Sequence, residues 1–320
     1  MSLFSKKQEV LVLPSGAKAL RDSVNEMKAP RRRRSSKSEA KRYTRSKVGN
    51  FFYFFFIIAA GCFSILPLIY CVCTSLKPLD EIMIFPPRFF VHRPTTANYA
   101  ALPGLLSNLR IPLSRYVFNS LFVTLGTTFL YVVIASMAAF VLCKSNIKFK
   151  GVIFYIIQFS LLFNGYTLNI PRYIIYTGVH IIDTYWVYIL PHFASTMGVF
   201  LMKQYMQGAL PNALLEAAKI DGAGYYRIFW QIVMPIVKPM WLTLTLFTFR
   251  DVWASVPGGT IFSEALKTLP TIMGQITAGG IARSGSAMAV TCILMVPPII
   301  VYLISQSNVM ESMSSAGIKE

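Results

Sequence analysis

An all-α integral membrane protein with six transmembrane helices is the fold class this sequence predicts, on three observations. The first is composition. Of the 320 residues, 54% are hydrophobic and only 14% charged, and the mean hydropathy of +0.53 is foreign to ordinary soluble domains. The second is a set of six apolar stretches, each close to the ~20 helical residues that cross a hydrocarbon core about 30 Å thick. The third is the lopsided placement of the basic residues, which orients those stretches.

The expected spans cover about 50–74, 116–143, 151–170, 184–203, 238–256 and 286–306. The fourth and fifth are less continuous than the first, and Pro191 is placed to kink the fourth. With the N-terminus in the cytoplasm, 22 of the 31 Lys and Arg fall on inner segments, so both termini are expected there. Four segments follow: a basic cytoplasmic tail over 1–49, the first span with its outer loop over 50–110, a core with spans two to six over 111–308, and a cytoplasmic C-terminal tail over 309–320. The outer loop "SLKPLDEIMIFPPRFFVHRPTTANYAAL" is long and rich in turn signals, so it is expected to be ordered by packing on neighbouring helices or on a partner.

The net charge of +18 could point to nucleic acid, but residues 1–49 hold 14 of the Lys and Arg against four acids. A basic tail on an apolar body is the pattern of a segment flanking a membrane and attracted to its lipid. No nucleic-acid partner is expected, and the Arg31–Arg34 run reads as a solvated or lipid-facing cluster. Nor is the N-terminus a cleavable leader: its charged region is too long and the apolar run behind it exceeds a signal segment. Cys62, Cys71, Cys73, Cys143 and Cys292 all lie in or beside apolar stretches and read as small buried side chains. Cys71-x-Cys73 is not a zinc spacing, and His92, His180 and His192 are scattered, so no metal site is expected. No glycine is followed directly by lysine, which removes the phosphate-cradling loop G-x-x-x-x-G-K-[ST], and no G-x-S-x-G nucleophile elbow occurs. The chain does not read as an enzyme.

The inner loop 206–237 carries the strongest signal. Pro211 suits a first helical turn, and "NALLEAAKI" favours helix, with Ala213, Ala217 and Ala218 thin enough for close approach. Asp221 favours a turn and Gly222 tolerates the positive φ that ends a helix. "YYRIFWQIVMP" starts a second, amphipathic segment, and Pro235 and Pro239 bend the chain into the fifth span. This is a short lever fixed at both ends.

The spacing resembles the signature loop of permease subunits of bacterial ATP-binding-cassette importers: Glu-Ala-Ala, three residues, Gly, nine residues, then Ile-x-Leu-Pro. Glu216, Ala217, Ala218, Gly222, Ile232 and Pro235 fit it without gaps, and Met234 replaces the leucine. "IDGAG" at 220–224, "TSLKP…PP…PTTANY" at 74–99 and the closing "VYLISQSNVMESMSSAGIKE" are similar to the carbohydrate branch, which contains the maltose-type and lipoprotein-associated oligosaccharide permeases. The likeness covers residues from about 50 to 320. It implies the type I importer permease fold, with the inner loop as a coupling helix between spans four and five. Glu216 would contact a cytoplasmic ATPase or brace the turn, Ala217 and Ala218 would permit the fit, and Asp221 and Gly222 would set the angle. It also implies a dimer of ATPase subunits holding ATP and Mg, with no cofactor in this chain. The further partners would be a second, homologous permease, an extracytoplasmic sugar-binding protein and an oligosaccharide. The alternatives are a permease for a non-sugar solute and a membrane sensor or anchor that transports nothing. A secondary transporter would more naturally show internal repeats or broken helices at matching places.

For the substrate path, Arg250, Asp251 and Trp253 stand out in "FTFRDVWASVPGG", since ionisable groups inside a span tend to face a cavity or a partner. Arg250 lies roughly 16 Å into the fifth span at 1.5 Å per residue, and its planar guanidinium suits a carboxylate, which would favour acidic sugars. An aromatic face such as that of Trp253 can stack on a sugar ring. The alternative reading puts Arg250 and Asp251 near the outer interface, paired or snorkelling, with no contact to substrate. The family often has asparagine after a tryptophan near here, where this chain has Ala254.

Overall fold

A computed structural model of the chain describes residues 47–107, 111–145, 147–163, 165 and 167–317. The basic tail before Lys47, with the Arg31–Arg34 run, and Lys319 lie outside the described residues. All regular structure among the described residues is helical. In chain order the helices are α1 (Lys47–Ser75), α2 (Leu79–Ile82), α3 (Ala97–Ser107), α4 (Leu113–Lys144), α5 (Lys150–Ser160), α6 (Asn169–Gly178), α7 (Trp186–Phe193), α8 (Thr196–Ala209), α9 (Asn212–Ile220), α10 (Tyr225–Ile228), α11 (Met234–Ile236), α12 (Lys238–Trp253), α13 (Leu269–Thr277) and α14 (Ser284–Gly317). A π-helical turn (Phe229–Val233) joins α10 to α11, and 3₁₀ turns occupy Glu264–Leu266 and Ile281–Arg283. Two units separate at Cys62 and Phe63. In the first, the described residues are the opening turns of α1, whose side chains from Phe51 to Ile58 are all exposed, as suits a helix surrounded by lipid. The second holds everything else.

Among the described residues, three helices are long and apolar enough to cross a membrane, over Val48–Ser75, Leu113–Lys144 and Ile281–Ser307. They contain the expected first, second and sixth spans, and α14 runs on to Gly317, through most of the expected C-terminal tail. A fourth arises if Tyr225–Ile236 and Lys238–Trp253, which meet at an angle of 81°, count as one broken span. The expected third span is helical only to Ser160, and the described residues between it and α6 are turns and a bend. The expected fourth is divided into α7 and α8. Pro191 lies within α7, and the division follows it at Ala194 and Ser195, where Ser195 takes an extended backbone (ψ 113°).

The loop expected on the outer side is ordered by its own chain. Asn98 of α3 donates its side-chain amide to the carbonyls of Ser75 (2.8 Å) and Lys77 (2.7 Å), satisfying carbonyls that the end of α1 leaves open. Asn98 lies so close to Gly285 of α14 that an added Cβ there would come within 2.6 Å of its Oδ1. Lys77, buried, donates to the Arg88 carbonyl.

In the second unit α12 packs along α14 and α4, and α4 along α8. The α4–α8 approach depends on Tyr131. Its hydroxyl donates to the Ser195 carbonyl (2.7 Å) and accepts from the Gly198 N–H (3.0 Å), so one side chain satisfies two backbone groups at the start of α8. Gly198 leaves the room: an added Cβ would sit 2.3 Å from that hydroxyl and 2.6 Å from Leu244 Cδ1. Gly198→Ala is therefore expected to destabilise the protein by ~1–3 kcal/mol through overpacking. Gly126→Ala on the open side of α4, where nothing lies within 4 Å, is expected to be neutral or stabilising. Thermal unfolding of the two variants in the same detergent checks this, and equal midpoints would show the α4–α8 approach to be loose.

Candidate functional site

Pro211 precedes the lever helix at its N-cap (φ −64°, ψ 138°), one position earlier than expected. Its fixed φ and missing N–H cost nothing there. α9 ends in a Schellman motif: the Gly222 N–H donates to the Lys219 carbonyl and the Ala223 N–H to the Ala218 carbonyl, each at 3.0 Å. Gly222 has φ +77°, and nothing lies within 4 Å of a Cβ built on it. Backbone conformation, not space, demands the glycine. Lys219 adds a cation in the last turn, its Nζ 5.0 Å from the centre of the Tyr225 ring.

The inner face of α9 belongs to the body of the protein. Leu215 and Ala218, three residues apart and so on one face, are 7% and 8% exposed. They share an apolar core with Phe140 of α4, Met202 and Met206 of α8, and Val237 and Leu244 around the start of α12. Lys144, the last residue of α4, donates to the Leu210 carbonyl (2.7 Å) and to Asn212 Oδ1 (2.6 Å), tying the second span to the entry of α9. Beyond Gly224, the segment to Ile236 buries Ile228, Phe229 and Val233 and exposes Tyr225 and Tyr226. The bend into α12 carries one further tie, the Trp241 indole N–H to the Met234 carbonyl at 3.2 Å.

Of the residues expected to face an ATPase, Glu216 and Ala217 are exposed on the outer side of α9. Asp221 caps the helix and Gly222 turns the chain. Ala218, 8% exposed, is turned inward, where its small side chain brings α9 against its own core.

The residues expected on the substrate path separate. Arg250 and Asp251 are exposed on α12, where Phe247, Arg250, Asp251 and Ala254 follow helical spacing along one face. Trp253 is buried at 5% exposure, stacked on Phe249 (5.8 Å between ring centres, 9° between planes). Its indole N–H donates to the Leu294 carbonyl at 2.9 Å. That carbonyl would normally accept from residue 298, which is Pro298 and has no N–H. Trp253 thus repairs α14, with its ring turned into the protein against Phe249.

The larger cavity, about 740 Å³, lies elsewhere. It opens where the two interrupted helices end: its described walls include Ser160, Leu161 and Phe163 after α5, Asn169, Arg172 and Tyr173 of α6, Pro191, His192 and Ser195 at the α7–α8 division, and Ser255 to Gly258 with Thr260 beyond α12. Non-helical backbone at membrane depth is tolerated where it lines such a cavity. Arg172 and His192 are the basic residues of its described lining, with Asn169 and Tyr173 near Arg172 on α6. The sequence reading passed over these because the expected third span stopped at residue 170. Applied two residues further on, the rule that selected Arg250 would have selected Arg172.

No protein-family profile matches the chain. It is 28% identical over 257 residues to the sulfoquinovosyl glycerol transport system permease protein SmoH of Agrobacterium fabrum, covering 79% of this chain and 88% of that one. It is 25% identical over 270 residues to the polygalacturonan/rhamnogalacturonan transport system permease protein YtcP of Bacillus subtilis, covering 79% and 92%. With the arabinooligosaccharides transport system permease protein AraQ of the same organism it shares 28% identity over 212 residues, 64% and 73% of the two chains. Among solved structures, one chain of a bacterial ABC transporter involved in the import of the acidic polysaccharide alginate has the same fold. The TM-score is 0.67, with 22% identity and 82% of this chain and 98% of that one covered. In sequence and in fold, the chain is a relative of the permease subunits of carbohydrate ATP-binding-cassette transporters.

Proposed function

We propose that this chain is one of two permease subunits of an ATP-driven importer that moves an oligosaccharide across the bacterial plasma membrane by alternating access. The observation that carries the reading is the lever: α9 stands between two apolar regions, closed by a Schellman turn, with Glu216 and Ala217 outward and Leu215 and Ala218 in the core of the spans. A cytoplasmic ATPase dimer, holding ATP and Mg, would push on the outward face. Because the inward face shares its packing with α4, α8 and α12, the push would reach three helices together. The names of the relatives, which carry arabinooligosaccharides or polygalacturonan and rhamnogalacturonan, support a sugar as cargo. A binding protein outside the membrane would deliver it.

Six crossings complete this reading. α5 with the turns that follow it, and α7 with α8, would serve as the third and fourth, which leaves both termini in the cytoplasm and the 740 Å³ cavity toward the outer side. The exposed face of α12 with Phe247, Arg250 and Asp251 would meet the second permease, where Arg250 would find an acceptor. A second reading, a non-sugar phosphate ester as cargo, is favoured by 28% identity over 210 residues to the sn-glycerol-3-phosphate transport system permease protein UgpE of Yersinia enterocolitica. A membrane sensor or anchor would have no use for so firmly held a lever.

Two measurements test this. With the native cysteines replaced, a cysteine at Ser145 is expected to be labelled only from the cytoplasmic side and one at Thr95 only from outside; labelling of Ser145 from outside overturns the six-span topology. Gly222→Val places a β-branched residue at φ +77° and is expected to cost ~1–3 kcal/mol of strain, tilting the lever, while Glu216→Ala weakens ATPase docking. Both variants should insert in the membrane yet lose uptake by the assembled transporter. Normal substrate-stimulated ATPase activity in both would show that α9 is not the coupling element.

A further inference from the structure

We propose that Arg172 is a carboxylate-binding residue of the 740 Å³ cavity and that the imported oligosaccharide is therefore a uronate; this rests on the permease reading above. Arg172 is half-buried in the cavity wall. A guanidinium is always charged and is costly to remove from bulk water without an acceptor. Yet no carboxylate lines this cavity among the described residues, and the two ion pairs described, Arg93 with Asp80 and Lys267 with Glu264, lie elsewhere. The cavity wall is thus one fixed positive charge with no fixed negative one.

The surrounding groups complete a sugar-acid site. His192 and Asn169 each offer N–H donors. The Tyr173 ring is 44% exposed, so a pyranose face can lie against it. Thr260, 8% exposed in the cavity lining, has a buried hydroxyl without a hydrogen-bond partner among the described residues, a group that a ligand hydroxyl can satisfy. The volume is within the range that holds a compact organic ligand, about 300–1,000 Å³. Arg250 fits the role less well. It lies outside this wall, and Asp251 on the same helical face offsets its charge.

The test uses the whole transporter with its ATPase and binding protein in proteoliposomes, and two probes of equal size: a galacturonate trisaccharide and its fully methyl-esterified, uncharged form. The wild type is expected to take up the acid in preference to the ester. Arg172→Gln should lower uptake of the acid about tenfold, the loss of one charge-assisted hydrogen-bonded contact, while uptake of the ester changes less than about twofold. Arg172→Lys, which keeps the charge but not the fork, should fall between them. Should Arg172→Gln fail to assemble, Arg172→Lys still decides, by a loss confined to the acid. Equal loss on both probes, a wild type indifferent to esterification, or uptake of neither probe by a transporter whose ATPase still responds to its binding protein overturns the uronate assignment. Failure of the permease reading itself looks different: Gly222→Val would then leave ATP turnover and its coupling untouched.

Discussion

The structure depends on one shared apolar core, in which Leu215 and Ala218 of the short helix α9 pack with Phe140 of α4, Met202 and Met206 of α8, and Val237 and Leu244 around the start of α12. Burying a large side chain taken from water contributes ~1.5–3 kcal/mol, and a close-packed interior does not deform continuously. A short helix would not persist alone in water, so α9 holds its shape because the spans hold it. The reverse follows: α9 cannot shift without asking α4, α8 and α12 to repack. The Lys144 contacts to Leu210 and Asn212 fix the entry of the lever, and Gly222 fixes its exit.

The interrupted helices express the opposite economy. A helix broken away from water leaves backbone groups open at several kcal/mol each, and the breaks after Ser160 and at Ala194–Ser195 open onto the polar cavity. Tyr131 meets part of the cost by accepting from Gly198 and donating to Ser195. Packing and cavity are thereby linked, since the tyrosine that closes α4 on α8 also shapes the wall beside Ser195.

Much of this was legible in the sequence. Long apolar runs gave α1, α4 and α14 directly, because a span unsupported by water must be helical. The lever was legible in detail, since Pro211, Asp221 and Gly222 act through local backbone chemistry that needs no tertiary knowledge. Two things were hidden. Apolar content alone does not say where a span is broken, so α5 and the α7–α8 division escaped the hydropathy reading. Nor does residue type say which way a side chain turns: Ala218 read as a thin outward surface and packs inward, and Trp253 read as a sugar platform and is a hydrogen-bond donor. The Trp253 contact joins residues 41 apart, and only the fold brings the indole to the carbonyl that Pro298 leaves open.

That repair has a mechanical consequence. Pro297 and Pro298 stand side by side within α14 and withdraw two successive rungs from its hydrogen-bond ladder, leaving a soft joint partway along an otherwise continuous 34-residue rod. One of the missing rungs is supplied from the neighbouring helix by Trp253. The stiffness of α14 at that level is thus borrowed from α12: while the two helices stay in register the rod resists bending, and when α12 slides away the joint is released.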